Sequence, residues 1–188
     1  TGNIKNPYGN TKYIIEKILM DIAKSDKRWS IRIARYFNPI SNHSSGLIKE
    51  NPKGIPNNLF PSIIKVVQKK FSELKIYGKN YKTKDGTGIR DYIHVMDLAD
   101  GHVAMMKKNR LKKGLKIYNF GTGKGTSVLE AIKVFEKKTG KLIPFKFLKR
   151  RKGDVAESFC NPKKALKELN WKNKYNLKDA MIDIKKIL

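Results

Sequence analysis

The sequence predicts an α/β fold, and three observations carry that expectation. Helical and extended patterns alternate along the chain. There is no internal repeat and no Gly/Ser-rich linker. Hydrophobic residues make up 39% and aromatic residues 10% of the 188 residues, enough for a real core and against general disorder.

The elements follow in order. Asn6-Pro7 is a good helix start, with the Asn side chain as cap and Pro in the first turn. Ile14, Ile15, Ile18, Leu19 and Ile22 then recur at helical spacing to about Lys24. Ser30 to Phe37 reads as a buried strand, and residues 38–57, with Pro39, Gly46, Pro52, Gly54 and Pro56, as a long loop of the kind that often carries function. Leu59 to Phe71 fits a helix and Leu74 to Tyr77 a short strand. Asp85-Gly86-Thr87-Gly88 marks a turn before a strand at Arg90 to His94, followed by a helix from Asp97 to Lys108 and a strand at Ile117 to Phe120. Ser127 and Glu130 form a capping box for a helix ending at Gly140, Phe145 to Leu148 is a further strand, and Asn161-Pro162 and Asn176 open two last helices.

Composition narrows the function classes. The single Cys160 excludes an internal disulfide framework and a cysteine zinc site, and points to a reducing, cytoplasmic setting. No apolar run approaches the roughly 18 residues of a membrane span. The N-terminus is polar, lacks Met and carries no signal peptide, so a start at Thr1 reads as a boundary within a longer chain. Lys+Arg 42 against Asp+Glu 16 gives a net charge of +26, which suits nucleic acid, acidic membranes or any anionic ligand. Lysine dominates, however, and pairs such as Lys69-Lys70, Lys107-Lys108, Lys137-Lys138 and Lys185-Lys186 fall where helices end or face water. The expectation is solvated surface lysine; no aromatic–basic interleaving of the single-strand-binding kind stands out, and nucleic acid is not the expected partner.

Tyr8 and Lys12 stand four residues apart in the first turns of the first helix, which puts phenol and ammonium on one face. A phenol of pKa near ~10 is a poor base at neutral pH, and a nearby cation favours the phenolate. Two other features carry less. Gly121-Thr-Gly-Lys-Gly125 lacks the G-x-G-x-x-G spacing, because Thr126 stands in the last Gly position, and is expected to be a structural turn. His43, His94 and His102 lie without metal-ligand spacing, so core or hydrogen-bonded roles are expected.

An ordered set of motifs goes further: Asn6-Pro-Tyr-Gly-Asn-Thr-Lys12, Arg35-Tyr-Phe-Asn-Pro39, His43, Ser45-Gly46, Gly54-Ile-Pro-Asn-Asn-Leu59, Asp85-Gly-Thr-Gly-Ile-Arg-Asp-Tyr-Ile-His-Val95, Asp97-Leu-Ala99, Tyr118-Asn-Phe-Gly-Thr-Gly123, Arg151-Lys-Gly-Asp154 and Asn170-Trp171. From about residue 6 to 182 this resembles the UDP-glucose 4-epimerases, extended short-chain dehydrogenases/reductases. The resemblance implies the C-terminal portion of such a fold. Residues 1–38 would end a Rossmann-type NAD domain and 39–188 form a small α/β domain for the UDP-hexose, with a possible crossing back at 90–120.

It also implies roles. Tyr8 would take the proton from the sugar 4-hydroxyl, and Lys12 would bind the nicotinamide ribose of NAD and hold the phenolate. Hydride would pass from sugar C4 to NAD and return to the other face of the 4-keto sugar. Phe37 would lie beside the cofactor and Asn38 would reach the nucleotide sugar. Asn58 and Leu59, at a helix start, would favour a phosphate, and Arg90 and Arg151 would grip the diphosphate. Asp154 would accept from ribose hydroxyls, the backbone of Lys75, Ile76 and Tyr77 would contact uridine, and Ser158 would lie against the sugar, small enough for N-acetylated hexoses.

The pattern departs from the family in two ways. No dinucleotide-binding glycine loop is present, so the 188 residues alone are expected to be inactive and to expose an interface. Ser41 and Lys49 replace glycines usual in the family, which would strain the loop wherever glycine served a positive φ. By analogy a homodimer is expected, with the Tyr8/Lys12 helix near its interface. A related nucleotide-sugar dehydratase or epimerase is the close alternative, and a basic nucleic-acid-binding module on the same fold the distant one.

Overall fold

The structure, a computed structural model, describes residue 4 and residues 6–109 and 113–188; Thr1 lies outside them. Asn6 caps α1 (Pro7–Ser25) by accepting a hydrogen bond from the Gly9 N–H at 2.7 Å, and the pre-set φ of Pro7 suits the first turn. β1 (Ser30–Tyr36) follows, and then β2 (Asn38–Ile40), inside the stretch expected to be loop. α2 (Leu59–Val67) stops before Phe71, its expected limit, because Lys69 takes φ 58, backbone that no right-handed helix continues through. β3 (Leu74–Tyr77) is as expected.

The strand expected at Arg90–His94 is two strands, β4 (Ile89–Arg90) and β5 (Tyr92–His94), parted at Asp91. α3 (Val95–Asn109), β6 (Gly114–Phe120), β7 (Thr126–Ser127) and α4 (Val128–Thr139) come next. Ser127 accepts from the Glu130 N–H at 3.1 Å, and Gly140 closes α4 at φ 74. β8 (Phe145–Leu148), β9 (Glu157–Ser158), α5 (Lys163–Leu169) and α6 (Leu177–Lys185) complete the chain. The reciprocal capping box forms at α6, where Asn176 and Asp179 satisfy each other's backbone N–H.

Pairing is mostly parallel. β1 runs with β6 from Ser30 opposite Gly114 to Tyr36 opposite Phe120, β2 with β5, and β3 with β8. β4 is the middle of a small sheet, antiparallel to β7 and parallel to β9.

Apolar side chains gather in two centres. One joins Phe60, Ile63, Leu74, Ile76, Tyr92, Phe135, Met181 and Ile184 from α2, β3, β5, α4 and α6. The other joins Ile93, Leu98, Tyr118, Phe120, Leu169 and Trp171 from β5, α3, β6 and α5 with the residue after it. Successive strand residues face opposite sides, so Tyr92 and Ile93 of β5 send one side chain into each centre and lock the two together. Asp97 strengthens the joint: its buried carboxylate accepts from the N–H groups of Lys174 and Tyr175, just ahead of α6.

α1 differs from the other long helices. It lies against β1 and β6, and Arg35 of β1 holds Glu16 through two hydrogen bonds of 2.7 and 2.5 Å. Yet none of its residues is buried, and Ile14, Ile15 and Ile18 of the expected apolar stripe are exposed. The stripe is real, but the described residues cover only part of it: Leu19 and Ile22 are half-buried, and Ile14, Ile15 and Ile18 are left open.

Candidate functional site

A cleft of about 740 Å³ opens between the starts of β2 and α2, the β3–β8 pair, β4 and the loop after β8. Of the residues expected at the sugar nucleotide, it is lined by Asn38, Asn58, Leu59, Lys75, Ile76, Tyr77, Arg90, Arg151 and Asp154. Chain segments more than 100 residues apart in sequence meet there, from Asn38 to Asp154. Ser158 is not among the lining residues; it sits half-buried in β9, directly opposite Arg90 in the strand register.

The cleft is built from the ends of its elements. α2 begins in it: Asn58 has extended backbone and its side chain does not cap the helix, so first-turn N–H groups have no partner from the cap. Those groups and the positive end of the helix dipole are chemically suited to an anion. Five cationic side chains line the cleft (Lys70, Lys75, Arg90, Lys146 and Arg151), against the two carboxylates Glu73 and Asp154. Glu73 is taken by Lys146 at 2.5 Å, and Asp154 lies 3.5 Å from Arg90. The balance is positive and fits an anion.

Arg90 is held for such a task. Its guanidinium donates to the carbonyls of Ile89 at 2.8 Å and Val155 at 3.0 Å, leaving the group fixed and mostly buried. Arg151 is more exposed and lies over the Tyr77 ring, 3.9 Å from its centre, with a long contact of 3.4 Å to the Asn57 carbonyl. Without an anion, an aromatic face and a carbonyl are its partners.

The turn beneath the cleft is rigid. Asp85 accepts from Thr87 N–H and hydroxyl at 3.0 and 2.7 Å and from the Ser127 hydroxyl; these hydrogen bonds hold its carboxyl below its ordinary value against burial, which raises it most. Gly86 has φ 77, and a Cβ there would collide with the Lys79 carbonyl. The Gly121–Gly125 turn is occupied by protein: Asp91 accepts from the Thr122 N–H and hydroxyl, the Gly123 N–H and the Cys160 N–H. A Cβ at Gly121 would lie 2.5 Å from Asp91 Oδ2, so glycine is required for the approach. Cys160 is buried, and burial, with Asp91 beside it, pushes its thiol up to about 12, an unreactive state.

Tyr8, Lys12 and Phe37 lie outside the cleft lining. Tyr8 is 73% exposed, and Lys12 Nζ stands 5.2 Å from the centre of its ring, so the two share a helix face. Phe37 is half-buried, and its N–H donates to the Phe120 carbonyl at 3.1 Å. The next residue, Asn38, already lines the cleft and donates its N–H to the Asp91 carbonyl at 2.9 Å. The three histidines are hydrogen-bonded, and among the described residues no group of His, Cys, Asp or Glu could hold a metal ion. No described helix is long and apolar enough to cross a membrane.

Sequence reasoning assigned no role to Tyr92 and Tyr81, which also line the cleft. Both are buried, and the Tyr81 hydroxyl has no hydrogen-bond partner among the described residues. Tyr92 stands within the Asp85–Val95 motif, where its place beside Arg90 was the available signal.

Fold and match together define the class: the chain belongs to the α/β family described as GDP-mannose 4,6 dehydratase, whose model matches residues 3–184. Within it the similarity is to UDP-glucose 4-epimerases. The Bacillus subtilis UDP-glucose 4-epimerase is 50% identical over 178 residues, which are 95% of this chain and 52% of that protein. The Bifidobacterium longum UDP-glucose 4-epimerase, solved with NAD+ and UDP, superposes with a TM-score of 0.96 at 47% identity, covering 100% of this chain and 56% of that one. The UDP-Glc/GlcNAc 4-epimerase of Campylobacter jejuni superposes at 0.74 with 30% identity, covering 96% of this chain and 56% of that one. The chain thus spans about half the length of the curated relatives it matches. The α/β class, the C-terminal portion of an extended short-chain dehydrogenase/reductase, is the one expected from the sequence.

Proposed function

We propose that these residues form the sugar-nucleotide side of an NAD-dependent UDP-glucose 4-epimerase. The observation that carries the proposal is the positively charged cleft that brings together Asn38, Asn58, Leu59, Lys75, Ile76, Tyr77, Arg90, Arg151 and Asp154. In this reading Arg90 and Arg151 clamp the UDP diphosphate, helped by the first-turn N–H groups of α2. Asp154 accepts from the ribose, and the β3 backbone from Lys75 to Tyr77 meets the uracil. Tyr8 takes the proton from the sugar 4-hydroxyl and gives it back, and Lys12, its ammonium 5.2 Å from the Tyr8 ring centre, binds the nicotinamide ribose. Ser158, paired with Arg90 in the small sheet though outside the cleft lining, is the position read as facing the sugar, its small side chain suiting an N-acetylated hexose.

The donor set fits NAD, since an ammonium and a phenol are presented together on exposed helix surface with Phe37 at the end of the adjoining strand. When bound, NAD supplies the hydride acceptor and donor. The exposed part of the α1 stripe supports a homodimer of the intact protein, the single cysteine supports a cytoplasmic setting, and the likeness to UDP-glucose 4-epimerases supports a place in galactose metabolism.

Calorimetric titration of the chain with UDP tests the binding half. Arg151→Met is expected to weaken it about tenfold to a hundredfold, the range for a hydrogen bond to a charged group, and a chain that takes up no UDP overturns the reading. A chimera joining residues 6–188 to the N-terminal half of the Bacillus subtilis relative tests the chemistry. Tyr8→Phe there should lower kcat by about 10²–10⁴, whereas the 188 residues alone should turn over no substrate.

A further inference from the structure

The segment Lys141 to Lys152 carries six cations and no carboxylate, and it encloses Phe145 and Phe147 with a lysine between them. On sequence alone that alternation reads as a half-buried strand. The fold makes something else of it. β8 pairs only with β3 among the described residues, so its outer edge is open. Phe145 and Phe147 remain 40% and 38% exposed and are set edge to face, 5.6 Å between ring centres.

Beyond the C-terminal ends of β3 and β8 lies a second hollow of about 320 Å³, lined by Lys79, Asn80, Phe147, Lys149 and Arg150 with the adjoining backbone. No described carboxylate pairs with Lys79, Lys149 or Arg150. Arg150 is fixed instead by neutral partners, the Asn80 side chain at 2.8 Å and the Tyr81 ring 4.2 Å from its centre. The hollow therefore combines an aromatic wall, a pre-set guanidinium and two ammonium groups with no described carboxylate partner, and Lys141 adds a further cation in the segment ahead of β8.

We infer that this edge of the molecule binds single-stranded nucleic acid, separately from the sugar-nucleotide cleft. Phe147 offers a face on which an unpaired base stacks, and Lys79, Lys149, Arg150 and Lys141 meet the phosphates. A duplex hides its base faces and leaves the ring unused. A bilayer calls for protruding apolar side chains, and the two rings are instead seated in the sheet; only Leu142, 83% exposed ahead of β8, suits that partner.

The test is fluorescence anisotropy of the whole 188-residue chain with a labelled oligothymidine, a duplex of equal length, and phosphatidylserine vesicles. With four phosphates engaged, raising salt from about 50 to about 200 mM should weaken single-strand binding about fiftyfold. Phe147→Leu should weaken it about tenfold and Phe147→Tyr restore it. Lys149→Glu should abolish the hollow's share, while Lys107→Glu/Lys108→Glu on α3 should change it less than twofold, and excess UDP should not displace the strand. The proposal fails if duplex binds as tightly as single strand, if the α3 pair matters as much as Lys149, if UDP competes, or if Phe147 and Leu142 act on vesicles and not on oligonucleotide. Because Phe147→Leu and Phe147→Tyr both keep the side chain apolar and large, a loss confined to the former is not a folding effect.

Discussion

Ser41 allows backbone strain and a hydrogen bond to be separated at one position. It takes φ 76, in the left-handed region, where a side chain costs about 1–2 kcal/mol relative to the right-handed one. Its hydroxyl donates to the Ala180 carbonyl of α6 at 2.9 Å, a net contribution of about 1 kcal/mol. Ser41→Gly removes both, so the two changes nearly cancel, and the extra freedom of glycine in the unfolded chain takes back a further fraction. Ser41→Ala keeps the strain and loses the bond, at a cost of about 1 kcal/mol. Urea unfolding with unchanged m-value should therefore rank wild type and Ser41→Gly close together with Ser41→Ala below them. An alanine variant as stable as the glycine variant would refute the strain, because both lack the hydroxyl and differ only at that φ, and an alanine variant as stable as wild type would refute the bond.

Three other outcomes are expected. Asp91→Asn turns an amide N–H₂ toward donors that now meet a carboxylate, and should cost about 3 kcal/mol in the same urea assay; a loss below about 1 kcal/mol would count against the buried carboxylate as the anchor of the 121–123 turn. Gly86→Ala, at φ 77 and against the Lys79 carbonyl, should cost more than about 2 kcal/mol, read from the thermal midpoint. Burial holds His94 below its ordinary value of 6.5, although Asp183 Oδ2 lies 3.4 Å from its Nε2. The unfolded chain then binds a proton that the folded chain refuses, so this contribution to stability declines as pH falls below about 6.5 and levels off below the folded value. His94→Gln should show a shallower decline in urea midpoint between about pH 7.5 and about pH 5.5, and identical slopes would exclude His94 as the source.

What the sequence disclosed depended on whether a residue's role was local. α1, α4 and α6 were legible from Asn6, Ser127 and Asn176, since a cap is a contact within three residues. β2, β7 and β9 were not, because strands of two or three residues carry no alternation and exist only through distant partners. The break at Asp91 was hidden for the same reason: its partners, Thr122, Gly123 and Cys160, are remote in the chain. The candidate cleft was reached through the order of motifs rather than through any one of them, which is why Arg90 and Arg151 were singled out while Tyr81 and Tyr92, without a chemical signature of their own, were passed over. The strand Phe145–Leu148 was legible, but its open edge was not, because whether a strand edge is open is a property of the assembled sheet.

The cleft and the Tyr8–Lys12 pair are physically separable, and that has a consequence. No residue of α1 lines the cleft, while α1 is fastened to β1 in part by the ion pair of Arg35 with Glu16, whose hydrogen bonds hold the Glu16 carboxyl below its ordinary value. Three residues beyond Arg35 in the sequence, Asn38 enters the cleft, itself fixed by its N–H bond to the Asp91 carbonyl. Arg35→Met in the chimera should thus loosen the phenol relative to the sugar and lower kcat, by up to about a hundredfold if the displacement is of order 1 Å. UDP affinity, which the proposal assigns to Arg90, Arg151 and the first turn of α2, should stay within about twofold, since none of those groups touches the pair. An equal fall in UDP affinity and kcat would mean that α1 helps to build the cleft, and the division between binding and chemistry in this half of the molecule would have to be abandoned.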